Sequence, residues 1–329
     1  MIAPLDWGLG HSTRCAALVR DWLPDNKVIL AVTPVNRTYY SQMFPACEQV
    51  ELPSYAISYS RFFPVWLKVL FQMPKTLRVI RKENKALEKI VHAKKVDVIL
   101  SDNRFGCYHP RVHSVFMTHQ VCILSPVFPK LATLINHWWI KKFNELWIPD
   151  YDNTSHSLAG HLSETKGLSL PIRFLGPLSA LTGLPSEEGE AIHCQVLFLL
   201  SGPEPQRVIL EDHIKRLKFD NGIQLCLVRG SGSGGWRKEG PWQITDTLTG
   251  PSLKRLIESA SVVVCRSGYS TLMDLHLLNK GQWIFIPTPG QTEQEYLAEH
   301  WERLFGTHRL DQDKMETLPG LIHSLLRTH

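Results

Sequence analysis

The sequence lacks paired cysteines and long apolar runs, and both absences restrict what the protein can be. Its seven cysteines stand singly, without a C-x-x-C spacing, which argues against a zinc site and against a disulfide framework. A reducing cytosol is the expected compartment. No stretch reaches the roughly 20 apolar residues of a membrane-spanning helix, because residues such as Lys68 and Lys75 interrupt the most hydrophobic segment. The first residues lack the basic and apolar regions of a secretory signal, so export is not expected.

The chain also lacks low-complexity tracts and a strong excess of charge. Its net charge of +5 is too small to imply nucleic acid, but it favours phosphate-bearing ligands or an anionic membrane surface. The apolar content of 43% is that of a globular protein. A single core stops growing at roughly 250 to 300 residues. The 329 residues therefore predict two domains with a cleft between them.

Short β-branched runs alternate with longer segments of helical period in both halves of the chain. The expected strands lie at 27–32, 96–100, 115–118 and 145–148, and then at 195–200, 224–228, 261–265 and 283–287. This alternation predicts an α/β fold of two doubly wound, Rossmann-like lobes. A Pro/Gly/acidic linker composition follows residue 170. We expect an N-terminal lobe at 1–175 and a C-terminal lobe at 176–329, whose last helix packs back on the first lobe.

The first motif that carries chemistry is D-W-G-L-G-H-S-T-R at 6–14, between a very short strand and a helix. A glycine turn that opens a helix brings backbone N–H groups toward an anion, so a phosphate site including Gly10 fits there. Thr13 and Arg14 stand where a dinucleotide fingerprint would have its third glycine, which disfavours a Rossmann dehydrogenase.

His11 and Asp102 are the candidate catalytic pair. Asp102 follows the strand 96–100, and strand ends of a parallel sheet meet at one edge, so its carboxylate is expected near His11. A carboxylate that orients an imidazole is the usual partner of a histidine general base. The structural alternatives remain open: a helix-capping or buried histidine, and an aspartate that caps the next turn.

Two further motifs in the second half predict a donor site. Ser201, Gly202 and Arg207 follow a strand and open a helix, where they could hold a phosphate, although Pro203 and Pro205 remove backbone donors. The second motif has two loop-then-helix segments, at 264–274 and 286–296. Its candidate donor-binding residues are Arg266, Ser267, Gly268, Thr271, Asp274, Gln291, Gln294 and Glu295. Asp274 is suited to accept the hydroxyls of a ribose.

At the second of these motifs the sequence resembles the glycosyltransferase family 28 C-terminal domain, typified by the peptidoglycan UDP-N-acetylglucosamine transferase. Cys265-Arg266-Ser267-Gly268, Thr271 and Gln294 match the family pattern. Asp274 stands in place of the family's ribose-binding Glu, and Glu295 replaces a second Gln. Gly10-His11 resembles the family's G-G-H, and His119-Gln120 resembles its H-E-Q on the acceptor side. The G-G-S-x-G loop is not matched at 201–207. The whole pattern is similar to predicted bacterial glycosyltransferases.

The resemblance implies a two-lobed GT-B glycosyltransferase, metal-independent and inverting, without a cofactor. It would move a hexose or N-acetylhexosamine from a UDP-sugar to a hydroxyl acceptor, with a lipid-linked acceptor of the cell envelope as one candidate. His11 is then the general base or a diphosphate contact. Two alternatives remain: an enzyme like the UDP-sugar 2-epimerases, and a non-catalytic nucleotide-sugar-binding subunit.

Aromatic and basic residues are mixed in the segment 60–93, which reads as one long helix or two helices broken near Pro74. One interpretation is an amphipathic helix with its apolar face on the core. The other is binding to an anionic membrane, because Trp138-Trp139-Ile140-Lys141-Lys142 repeats the composition. The expected location is then cytoplasmic, with peripheral contact at the inner face of the membrane.

Overall fold

The computed structural model describes residues 1–55, 65–185, 194–202, 204–278 and 282–327, with the backbone alone at 65–70. Contacts between residues divide the chain into two compact units, and the second begins at Ala180. The boundary predicted near residue 175 falls in the same connection, after a strand that ends at Phe174. None of the described helices is long and apolar enough to cross a membrane.

Unit 1 is a parallel sheet with helices on both faces. Its strands are β1 (Ile2–Pro4), β2 (Ile29–Val32), β3 (Glu48–Glu51), β4 (Val98–Asp102), β5 (His113–Met117), β6 (Glu145–Ile148) and β7 (Ile172–Phe174). Its helices are α1 (Gly10–Trp22), α2 (Arg37–Met43), α3 (Val65–Lys94), α4 (Pro129–Ile140) and a 3₁₀ turn (Gly160–Ser163). The strand order is β3-β2-β1-β4-β5-β6-β7, and it reverses direction between β1 and β4. Ligands of doubly wound folds bind at such a switch point.

The alternation of side chains along β1, β2 and β4 explains why this sheet is covered on both faces. Ile2, Leu30 and Leu100 pack under α1, together with its residues Cys15, Leu18 and Val19. The neighbouring Ala3, Ile29 and Ile99 point to the other face, where Leu87 and Val91 of α3 cover them. Burial on both faces is typical of parallel strands.

Helix α3 is continuous through Pro74, so the expectation of one long helix holds and the break does not occur. Its buried residues Ile80, Leu87 and Val91 lie on the core, as the amphipathic interpretation requires, whereas Phe71 is exposed. The residues 60–64 of this candidate segment lie outside the described part of the chain.

Unit 2 repeats the architecture. Its strands are β8 (Val196–Leu199), β9 (Leu225–Val228), β10 (Arg237–Glu239), β11 (Trp242–Thr245), β12 (Val262–Cys265), β13 (Trp283–Phe285) and β14 (His308–Arg309). Its helices are α5 (Gln206–Arg216), α6 (Gly250–Ser259), α7 (Tyr269–Leu277), α8 (Thr292–Phe305), a 3₁₀ segment (Gln312–Thr317) and α9 (Leu318–Arg327). The order is β10-β11-β9-β8-β12-β13-β14, with β10 alone antiparallel among these strands. The switch point lies between β8 and β12.

The predicted fold class of two doubly wound α/β lobes is confirmed. The predicted helical patterns in the second half correspond to α5, α6, α7 and α8. The last helix, α9, buries Leu318, Ile322 and Leu325 in the core of its own unit. Its packing on the N-terminal lobe stays a prediction.

Candidate active site

The switch point of unit 1 brings His11 and Asp102 together. Strands β1 and β4 are neighbours, with Pro4 paired to Asp102. Gly8 has a φ of +100°, which suits glycine and turns the chain from β1 into α1. His11, in the first turn of α1, then places its Nδ1 3.0 Å from Oδ2 of Asp102. The His11 side chain is 17% exposed and that of Asp102 is fully buried, so the pair has one side open to a ligand.

Arg14 completes this site, and sequence analysis missed its role. Its Nε donates to Oδ2 of Asp102 at 2.8 Å and its Nη2 donates to Oδ1 of the same carboxylate. Burial alone would raise the pKa of Asp102, but the charges of Arg14 and His11 hold it well below its usual range. Arg14 lies three residues after His11 on α1, and this one-turn spacing was the available signal.

Two more groups contact this centre. The Sγ of Cys15 lies 3.4 Å from Oδ2 of Asp102, and burial beside that carboxylate raises the pKa of the thiol, so Cys15 is a neutral donor there. His119 follows β5, the neighbour of β4, and its Nδ1 is 3.2 Å from Nη1 of Arg14. The structure thus joins His119, predicted on the acceptor side, to His11 and Asp102. We call His11, Arg14, Asp102 and His119 the histidine–arginine cluster.

In unit 2, the loop after β8 contains Ser201 and Gly202, and Gly202 has a φ of +93°. The predicted phosphate ligand Arg207 is buried, and its Nη2 lies 2.5 Å from a carboxylate oxygen of Glu204. Its Nη1 donates to the backbone oxygen of Arg229 at 3.1 Å. Arg207 therefore already has a charge partner, while Pro203 of this motif lies outside the described residues.

Arg266 follows β12 at the switch point of unit 2. Its Nη1 donates to the backbone oxygens of Ile286 and Pro287, each at 2.9 Å, and its Nη2 donates to Gln206 and Gln312. Burial lowers the pKa of Arg266 to about 10, and within the described chain no carboxylate pairs with it. The Arg266 side chain thus connects its own loop to the segments at Gln206, Ile286–Pro287 and Gln312. It also carries a buried positive charge.

The remaining predicted donor residues shape the loops that precede α7 and α8. Ser267 Oγ donates to the backbone oxygen of Gln294 at 2.7 Å. The side-chain oxygen of Gln294 accepts from Thr288 N, and Glu295 accepts from Gly290 N, both at 2.8 Å. These two side chains therefore hold the 288–291 turn.

The two helix N-termini flanked by these loops lie at the same edge of the sheet. Gly268 precedes α7 and Gln291 precedes α8, after the neighbouring strands β12 and β13. Thr271 and Asp274 lie in the first two turns of α7 and are half-buried. Adjacent helix N-termini present N–H groups and positive dipole ends, the pattern that binds phosphate.

Among the described residues, Glu88, His92 and His109 could meet at a metal ion. Ion pairing accounts for them otherwise: the Nε2 atoms of His92 and His109 both lie near carboxylate oxygens of Glu88, at 3.1 and 3.0 Å. The Nδ1 of His109 accepts the backbone N–H of Arg111, so its proton belongs on the Nε2 that faces Glu88. To bind a metal ion, Nε2 of His109 would need a lone pair in place of that proton.

Comparisons with known proteins agree on one class. Residues 247–328 match the family model described as the glycosyltransferase family 28 C-terminal domain. By sequence, no curated protein matches the chain. The spinosyn rhamnosyltransferase complexed with thymidine diphosphate superposes with a TM-score of 0.62 at 11% identity, covering 99% of this chain and 91% of that one.

Two other solved structures show the same fold. The glycotransferase of kitacinnamycin gives a TM-score of 0.65 at 14% identity, over 98% of this chain and 88% of its own. An Arabidopsis thaliana protein complexed with UDP-L-rhamnose gives 0.62 at 13% identity, over 99% and 91%. The fold is thus the GT-B architecture, and the resemblance to the family 28 C-terminal domain is confirmed over that segment. The fold and the matched domain make this chain a glycosyltransferase.

Proposed function

We propose that the protein transfers a hexose or an N-acetylhexosamine from a UDP-sugar to a hydroxyl acceptor, with inversion at the anomeric carbon. The reaction would use neither metal nor cofactor. The observation that carries the proposal is the 3.0 Å contact between His11 Nδ1 and Asp102 Oδ2 at the switch point of unit 1. With its Nδ1 proton donated to Asp102, His11 would act as a general base through its other nitrogen, Nε2.

In the proposed mechanism, Nε2 of His11 takes the proton of the acceptor hydroxyl. The acceptor oxygen bonds to the anomeric carbon as the bond from that carbon to the diphosphate oxygen breaks. The nucleoside diphosphate leaves with the electron pair of that bond. Its negative charge would be stabilised by the N-termini of α7 and α8 and by the buried cation of Arg266.

Unit 2 is the proposed donor side. The solved relatives in complex with thymidine diphosphate and with UDP-L-rhamnose support a nucleoside diphosphate sugar as donor, and the family 28 resemblance favours the UDP form. The half-buried Asp274 on α7 would accept the ribose hydroxyls. Since Gln294 and Glu295 hold the adjacent turn by their side chains, they would act on the donor mainly through the backbone N–H groups they position.

A panel of nucleotide sugars tests this assignment by the rise in melting temperature that ligand binding causes. UDP or a UDP-sugar should stabilise the protein, and Asp274→Ala should lose most of the shift. Glu258→Ala, on α6 of the same unit, is the matched control and should keep it. A shift with another nucleotide class and none with UDP would contradict the donor assignment. Analysis of the products separates transfer from hydrolysis and from epimerisation.

We further propose that the acceptor is lipid-linked and that α4 contacts the anionic face of a membrane from the cytoplasm. One face of α4 and the residue before it expose Phe128, Leu131, Leu134 and Trp138. Lys142 lies 4.1 Å from the ring centre of Trp138. No acidic residue occurs between Asp102 and Glu145, so the charged residues of the segment that carries this face are all basic. Exposed aromatic and basic groups together favour an anionic lipid surface.

Sedimentation with vesicles containing acidic lipid measures this contact. The protein should pellet with acidic vesicles at moderate salt and stay in the supernatant with neutral ones. The double change Leu134→Ser and Trp138→Ser should abolish pelleting. Trp236→Ser removes an exposed tryptophan in unit 2 and should have no effect. Equal recovery with and without acidic lipid would contradict membrane contact.

A further inference from the structure

Arg14 occupies the centre of the histidine–arginine cluster. Its side chain is 1% exposed. Its Nε and Nη2 donate to the two oxygens of Asp102, which is the bidentate geometry that guanidinium and carboxylate groups favour. Asp102 therefore has a permanent cationic partner before His11 takes up any proton. In a His–Asp pair without an arginine, the carboxylate would instead bond to the histidine alone.

The other N–H groups of Arg14 reach the histidines. Nη2 lies 2.8 Å from Nδ1 of His11, and Nη1 lies 3.2 Å from Nδ1 of His119. A guanidinium has five N–H donors and no acceptor, so an imidazole nitrogen bonded to it must carry a lone pair. In the neutral ring the proton is then on Nε2. For His119, this contact requires the Nε2–H tautomer.

His11 has two competing partners at the same nitrogen. Oδ2 of Asp102, at 3.0 Å, can only accept, so that bond needs a proton on Nδ1. The bond from Arg14 needs a lone pair on Nδ1. The two bonds exclude each other, and they leave Nε2 in opposite states. With Asp102 as partner Nε2 is a base, whereas with Arg14 as partner Nε2–H is a donor.

We propose that Arg14 is the positioning residue that sets the tautomer of His119 and biases that of His11. It fixes His119 with its proton on Nε2, and it competes with Asp102 for Nδ1 of His11. The groups that face His11 across this contact are Arg14 and Asp102, with Cys15 and His119 attached to them. The consequence for turnover rests on the proposed function, but the tautomers themselves do not.

The test is a nitrogen-15 NMR measurement of ring protonation at about pH 8, above the ordinary titration range of histidine. In the wild-type protein, His119 should show its proton on Nε2. Arg14→Lys keeps the charge but loses the planar set of N–H donors of the guanidinium, so His119 should become a mixture of tautomers. Arg14→Gln should move His11 toward the Nδ1–H form, because the competing cation is gone. Arg20→Lys, on the same helix, should leave both rings unchanged.

Turnover provides the second readout. Misplacing a catalytic group can cost ~10²-fold in rate, so Arg14→Lys should lower kcat by that order while the KM for the donor changes little. A wild-type His119 with its proton on Nδ1, or rings that do not respond to either Arg14 variant, would overturn the proposal. Wild-type protein with the expected tautomers but no transferase activity would instead contradict the proposed function.

Discussion

Replacing Asp102 by Asn should destabilise unit 1 as well as slow the reaction. The carboxylate is fully buried and holds Arg14 through both oxygens. The amide would leave the Arg14 cation buried without a counter-charge. Removing one partner of a buried ion pair costs about 3 to 5 kcal/mol. Because Asn keeps one acceptor oxygen, we expect a loss near the lower end of that range.

The loss should appear as faster hydrogen exchange in β1 and β4, measured by mass spectrometry of peptides from these strands. Leu100 N donates to Met1 O and Leu5 N donates to Asp102 O, so these amides report the opening of the switch point. A local probe is preferable, because a chain of two units does not define one unfolding free energy. Asp21→Asn, an exposed position on α1, is the matched control and should exchange as wild type does.

The same pair makes a prediction about pH. The pKa of Asp102 is depressed in the folded state, so its contribution to stability is complete above the unfolded pKa of about 4. That contribution is lost as pH falls through the folded value. The difference between wild type and Asp102→Asn should therefore be largest near neutral pH and shrink in acid. Equal protection in the two proteins at neutral pH would refute the reasoning.

Two further substitutions test side-chain packing within unit 1 and within unit 2. Gly106→Ala should destabilise unit 1 by about 1 to 3 kcal/mol, because the added Cβ would lie 2.5 Å from the backbone oxygen of Ile80; hydrogen exchange of unit 1 peptides measures this, and Gly235→Ala, with open space around it, is the control. Arg266→Gln should lose about 1 to 3 kcal/mol from unsatisfied carbonyls and, because the buried cation is gone, should weaken binding of UDP more than binding of uridine in calorimetric titration. Equal weakening of both ligands would mean that Arg266 acts on loop shape and not through charge.

The sequence predicted the meeting of His11 and Asp102 because the rule for parallel strands acts on topology alone. It did not predict the bonds of Arg14, whose partner is 88 positions away and depends on the register of β1 against β4. Strand β3, Glu48–Glu51, was missed because it carries too few apolar residues to show a strand pattern. Strand β14 was missed because it has two residues.

In unit 2, the sequence predicted the backbone elements of the donor side but not the contacts of their side chains. The strand-loop-helix patterns predicted helices that begin at Ser270 and Gln294, within two residues of the observed starts at Tyr269 and Thr292. Side-chain partners do not follow from such patterns. Arg266 was predicted as a donor-binding residue, and its terminal nitrogens bond to carbonyl oxygens that converge from three other segments of unit 2, at Gln206, Ile286–Pro287 and Gln312. Such convergence depends on tertiary packing and leaves no periodic signal in the sequence.

The central claim is that His11 accepts the acceptor proton. Its most direct test is the rate of UDP release from a UDP-sugar with a panel of hydroxyl acceptors, including polyprenyl-linked sugars. Loss of a general base costs on the order of 10² to 10⁴ in rate. His11→Ala should lose that much turnover and keep the nucleotide-induced shift in melting temperature, whereas His156→Ala, an exposed histidine of unit 1, should match wild type. Turnover of His11→Ala within about twofold of wild type would contradict the account and make His119 the next candidate for the base.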